Sequence, residues 1–501
     1  MLALKTHKRK VENKVKPELP YPFLVKEHQS PIEVLRKEVL KRRPVLKEVL
    51  NRCGHKLLLD YTSEYYDVKT GTPERRSEFL SVFKDYVTKL LGEEVASGVT
   101  EQLRENYFVS TADHHGPLMD PYFLNANLVA GLTARRVEKD LPYVVVLSCA
   151  GVSLNNSTFP RGLTFHSYKE GEPALHRLSF LPSNSHASAI FGFRPFLQAE
   201  VQKVRKLLQD LLGSGQISKP VYEKLSRIFE NVYGQPELLE CGSFAEQVTK
   251  TNAKLWKYLF PGEGNGRELV YIDQEGLVVE LLLKEHLHKF SIIHSILFDP
   301  EARGLFTGYF DGIEAGYSQE NKSGTFIFWG INKKNNQRVA LWEKDGRLES
   351  EDGSISVPLV IEEIESALRS GLLMPSSLLI FLMLSFYYGV KCLGGFCQVN
   401  YLTSMKHAYI KMLTDLGKYK DVEYSARVQT KEMCEDLSVA FLPKKDGSFL
   451  LATGLDIALY GEGEITEILE TVAESLTLNE SISLMLPEFY SVLVRAADRD
   501  P

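Results

Sequence analysis

Six consecutive residues, Tyr143-Val144-Val145-Val146-Leu147-Ser148, constrain the fold of this chain more than any others. The run is apolar and β-branched, with none of the polar alternation of a half-exposed strand. A strand covered on both faces reads this way. Such a strand needs paired neighbours and helices on both sides. The run therefore predicts a buried, mostly parallel or mixed sheet with flanking helices, in a protein of the α/β (mixed α+β) class.

Helix signals surround it. Ser30-Pro31-Ile32-Glu33 has the form of a capping box, and Pro44 should divide the helix that follows. Thr72-Pro73 opens a second helix that Gly92 closes, a third covers 93–106, and Asp120-Pro121 starts one reaching Arg136. After the strand, 187–193 is a further apolar strand candidate, and 196–212, 220–233 and 243–259 read as helices. Phe260-Pro261-Gly262-Glu263-Gly264-Asn265-Gly266 is the clearest loop. Beyond it come strand candidates at 269–272, 325–329 and 338–342, then helices at 359–370 and 376–389. A hairpin turns at Asp446-Gly447, and two helices at 464–475 and 481–496 close the chain. The expected organisation is a basic arm over 1–29, a helical region over 30–140, a first α/β core over 141–260, and a second α/β domain over 267–501. The longest apolar run, Leu378 to Val390, is too short to span a bilayer and reads as a buried helix.

Charge matters mainly at one end. Residues 1–60 hold 15 Lys/Arg against 7 Asp/Glu, while the whole chain has a net charge of −6. The arm could touch an anionic partner, but no aromatics interleave with the basic run from Lys5 to Lys16, so there is no strong nucleic-acid signal. The six cysteines are scattered, and no apolar core follows the first charges. Both observations point to a cytoplasmic protein.

The chemistry-bearing residues cluster. Of 12 histidines, five (His114, His115, His166, His176, His186) fall within one stretch of about 75 residues and three (His286, His288, His294) within another. Asp113-His114-His115-Gly116 lies in a loop between two helices. Its imidazoles could bind a divalent metal (zinc, iron or manganese) with His166 as third ligand, or move protons, and Asp113 could fix a tautomer. Glu285-His286-Leu287-His288 is weaker. On a helix its two rings point about 200° apart, so they read as surface or helix-end residues.

The polar loop Ser148-Cys149-Ala150-Gly151-Val152-Ser153-Leu154-Asn155-Asn156-Ser157 follows the buried strand. Ligands of α/β sheets sit beyond the carboxyl ends of strands. Asn155, Asn156 and Arg161 are therefore candidate substrate-binding residues, and Cys149 a candidate nucleophile. Three functions follow as expectations. One is an enzyme acting on a small polar or anionic substrate by metal-assisted hydrolysis, with His114, His115 and Asp113 at its centre. Another is metal-free acyl or amido transfer through Cys149. The third is a non-catalytic binding protein that uses its basic arm.

Overall fold

A computed structural model of the chain describes residues 29–66, 68, 70, 72–117, 120–137, 141–260, 268–461 and 465–497. The basic arm, apart from its last residue, and the Gly-rich loop after Phe260 lie outside the described residues.

The fold is α/β. Its centre is a four-stranded parallel sheet formed by β1 (Phe108–Ser110), β2 (Tyr143–Ser148), β3 (Glu268–Asp273) and β4 (Lys391–Leu393). The spatial order is β4-β1-β2-β3. β2 and β3 pair along their whole length, from Tyr143 opposite Glu268 to Ser148 opposite Asp273. Alternation then divides the side chains between two cores. Val144, Val146, Leu269 and Tyr271 enter one apolar cluster; Val145, Leu147, Val270 and Ile272 enter the other. This is why Val144 to Leu147 of β2 carry no polar position.

Helices cover both faces. α1 (Pro73–Leu91), α2 (Glu93–Glu105) and α5 (Gln274–Leu281) pack on the Val145 side. α3 (Pro121–Arg136) and α4 (Phe244–Leu259) pack on the Val146 side. Local chemistry sets their starts. Thr72 Oγ1 accepts from Arg75 N at 3.2 Å, Asp120 Oδ1 from Tyr122 N at 3.0 Å, and Ser243 Oγ from Glu246 N at 3.2 Å. Pro44 separates helices Gln29–Arg42 and Pro44–Cys53.

The chain lays β1, β2 and β3 side by side through α3 and α4 on one face. It then returns across the other face to place β4 on the far side of β1. Reversal of direction with a change of face is what right-handed crossovers require. A five-stranded antiparallel sheet (328–331, 338–344, 347–350, 356–358 and 373–375) lies within that return, and its apolar residues share the Val145-side core.

Two expectations differ from the structure. The 187–193 run forms turns rather than a strand, because its backbone is held by a loop: Asn336 Nδ2 donates to the Ala189 and Phe191 carbonyls. The apolar stretch from Leu378 is indeed buried, but it is helix only over Ser377–Phe381 before widening into a π-turn over Leu382–Tyr387. Among the described residues no helix is long and apolar enough to cross a membrane.

Candidate active site

In an open parallel sheet the chain leaves a crevice where strand order reverses. Here that point lies between β1 and β4, bounded by the loop after Ser110 and by Gly394-Gly395. The carboxyl ends of β2 and β3 continue the same edge with Cys149 and Glu275.

β1 and β2 stay paired beyond their ends. Cys149 N donates to the Asp113 carbonyl at 2.7 Å, and His115 N donates to the Cys149 carbonyl at 2.8 Å. These bonds form a parallel bridge between His114 and Cys149. Ser110 pairs with Val146, so four steps on the β1 side match three on the β2 side. The extra residue is a bulge. It sends adjacent histidines to different fates.

His115 belongs to the core. It is fully buried, its Nε2 donates to the Ala245 carbonyl at 2.9 Å, and its Nδ1 accepts from Ser148 Oγ at 2.7 Å. A carbonyl can only accept, which fixes the tautomer. Burial lowers its pKa, so the ring is held neutral. Both nitrogens are committed.

His114 is partly exposed at the sheet edge. Its Nδ1 meets Asn156 Oδ1 at 3.1 Å. The same oxygen accepts from Thr158 N and Thr158 Oγ1, so it must be the amide oxygen. His114 therefore carries its proton on Nδ1, and Nε2 presents a lone pair. Burial pulls its pKa down to about 4, which keeps that lone pair free at neutral pH.

Cys149 is partly exposed, and its thiol donates to Glu275 Oε1 at 3.2 Å. The Glu275 carboxylate also accepts from Ala150 N at 2.7 Å and from Gly151 N at 2.8 Å. Gly151 makes room for it, since a Cβ there would lie 3.0 Å from Oε1. Burial pushes Glu275 up to about 7, opposed by the Ala150 N–H. Burial, reinforced by the neighbouring Glu275 charge, also pushes the Cys149 thiol up, so it rests protonated.

More carboxyl groups line the switch point. Asp113 is fully buried, accepts from Asn127 Nδ2 at 2.9 Å, and is raised by burial to about 7. Asp436 accepts from Phe396 N at 2.8 Å and is likewise raised by burial to about 7. Glu435 is raised by burial and then by Asp436 beside it. Gly395 seats this pair: a Cβ there would fall 2.3 Å from Glu435 Oε2 and 2.8 Å from Asp436 Oδ2.

Of the residues expected from sequence, Asp113, His114, Cys149 and Asn156 come together at this edge. Asn155 sits nearby but exposed, accepting from Ser153 Oγ at 2.5 Å. Arg161 ends the same loop. His166 lies elsewhere, on strand Gly162–Lys169, where its Nδ1 and backbone N bond the two oxygens of Asp456 at 2.8 and 2.7 Å. Among the described residues no group of three or more His, Cys, Asp or Glu is placed to hold a metal ion. His286 is not a surface residue: it is fully buried between Tyr388 Oη at 2.8 Å and Ser291 Oγ at 2.9 Å. His288 is exposed and pairs with Glu365.

Sequence reasoning missed Glu275, Glu435 and Asp436. The strand-end rule that singled out Cys149 applies equally to β3 and would have found Glu275 two residues past Asp273. In comparisons with known proteins, no family model and no curated protein matches the chain.

Proposed function

We propose that the chain is an enzyme of acyl or amido transfer on a small polar or anionic substrate, with Cys149 as nucleophile and Glu275 as its base. The observation that carries this reading is the 3.2 Å bond from the Cys149 thiol to Glu275 at the carboxyl edge of the sheet. A thiol that rests protonated needs a base at the moment of attack. A carboxylate raised to about 7 is a stronger base than an ordinary one and still ionises near neutral pH.

In the first step Glu275 takes the thiol proton while sulfur bonds to the acyl carbon. The bond to the leaving amine or alcohol breaks, and that group leaves with the proton from Glu275. In the second step water or an amine attacks the thioester, gives its proton to His114 Nε2, and sulfur departs as the thiol after recovering that proton. Asn156 holds His114 in the required tautomer, and Asn155 and Arg161 would contact the substrate. The six cysteines are all free thiols, which suits a reducing compartment such as the cytoplasm.

Metal-assisted hydrolysis has less support, because His115 has no free lone pair and, among the described residues, no group of three or more His, Cys, Asp or Glu is placed to hold a metal ion.

The test is acylation by p-nitrophenyl acetate followed by peptide mass spectrometry. One acetyl group should map to Cys149, be absent from Cys149→Ala, and form at least about ten-fold more slowly in Glu275→Gln. Acetylation spread evenly over several cysteines, or an unchanged burst in Cys149→Ala, would refute the reading.

A further inference from the structure

The loop that fixes His114 through Asn156 ends five residues later at Arg161, and its geometry there is unusual. Phe159 has φ +54°, a left-handed backbone that aromatic residues rarely adopt. The turn is held by Phe159 N donating to the Asn156 carbonyl at 3.0 Å. The ring lies against Gly162, where a Cβ would come within 2.7 Å of Phe159 Cε1. So placed, Phe159 meets two guanidinium groups, Arg161 at 4.9 Å and Arg177 at 5.8 Å from the ring centroid.

Two like charges on one ring call for a counter-ion. Among the described residues neither forms an ion pair. Arg161 Nε and Nη1 are buried with no hydrogen-bond partner. Burial, and then the charge of Arg177, lowers the pKa of Arg161, as expected for an uncompensated pair. Asp120 is near enough to feel Arg177, but burial raises Asp120 to about 7, so it supplies only part of a charge at neutral pH. Planar forks with free N–H groups are built for oxyanions.

We propose that Arg161 and Arg177, held on Phe159, form a binding site for an oxyanion, the phosphate or carboxylate group of the substrate. Two uncompensated positive charges favour a dianion over a monocarboxylate. The loop from Asn156 to Arg161 would then anchor the anionic end of the substrate and orient its acyl carbon toward Cys149. That orientation rests on the function proposed above; the anion site does not.

The experiment is calorimetric titration of the full chain with inorganic phosphate, and with acetate for comparison. Phosphate should bind the wild type more tightly than acetate does. Arg161→Gln and Arg177→Gln should each weaken phosphate about ten-fold or more. Arg161→Lys keeps the charge and the fold but loses the fork, and should be intermediate. Cys149→Ala should bind phosphate like the wild type, so a failure of thiol chemistry would leave this result standing. Equal phosphate affinity in the wild type and the Arg161→Gln/Arg177→Gln double variant, or no binding at about 10 mM phosphate, would overturn the proposal.

Discussion

Glu275→Gln tests the electrostatics of the edge independently of any activity. The carboxyl group is fully enclosed and raised from 4.5 to about 7, with burial as the main cause. A shift of that size is a linkage free energy of about 3 kcal/mol. The sign follows from proton binding: the folded state holds this proton more tightly than the unfolded state. Its contribution is complete below pH 4.5 and is lost as pH rises through 7. Between pH 5 and 8 the wild type should lose about 2–3 kcal/mol through this group alone. Glutamine cannot titrate, so that loss should vanish in the variant. Glutamine also turns an NH2 group toward either Ala150 N or Gly151 N, leaving one donor unpaired at a pH-independent cost of about 1–3 kcal/mol. Urea unfolding at pH 5 and pH 8, followed by tryptophan fluorescence, to which the buried Trp256 contributes, measures both effects. The variant should be clearly less stable than the wild type at pH 5 and close to it at pH 8. A stability difference independent of pH, or one that widens as pH rises, would refute the raised pKa and with it the case for Glu275 as a base.

Two further perturbations separate the roles of neighbouring residues. His115→Ala removes a ring bonded at both nitrogens inside the core and should cost about 3 kcal/mol in urea unfolding; His114→Ala, at the partly exposed edge, should cost about 1 kcal/mol. The reverse order would mean the tautomer and burial assignments are exchanged. Gly395→Ala would place a methyl 2.3 Å from Glu435 Oε2. It should destabilise the chain by about 2 kcal/mol or more, and a variant as stable as the wild type in the same assay would show that the carboxylate pair is not seated there.

The parts of this fold legible in the sequence are those decided within a few residues. Thr72, Asp120 and Ser243 announce helices because a cap accepts from an N–H two or three positions on. The β2 run announces a sheet covered on both faces because its own side chains alternate between two cores. The 187–193 run misleads for the converse reason. Its composition is strand-like, but its carbonyls are taken by Asn336, about 145 residues away in sequence. No local pattern can register that.

The same limit explains the site. β1 and β4 are three residues long, too short to show any period, so neither strand is seen in the sequence. Without those two strands the order β4-β1-β2-β3 cannot be inferred, and without the order there is no switch point to bring Asp113, Asp436 and Glu275 to one edge. The histidine doublet shows what this costs. Read locally, His114 and His115 are equivalent candidates for one metal ion. The single extra residue between the Ser110–Val146 and His114–Cys149 pairings breaks that equivalence. One ring is bonded at both nitrogens, and the other is held at Nδ1 by Asn156 on a residue whose backbone bridges to Cys149. Residue type nominated the doublet, but pairing register decided which member is bonded at both ring nitrogens inside the core.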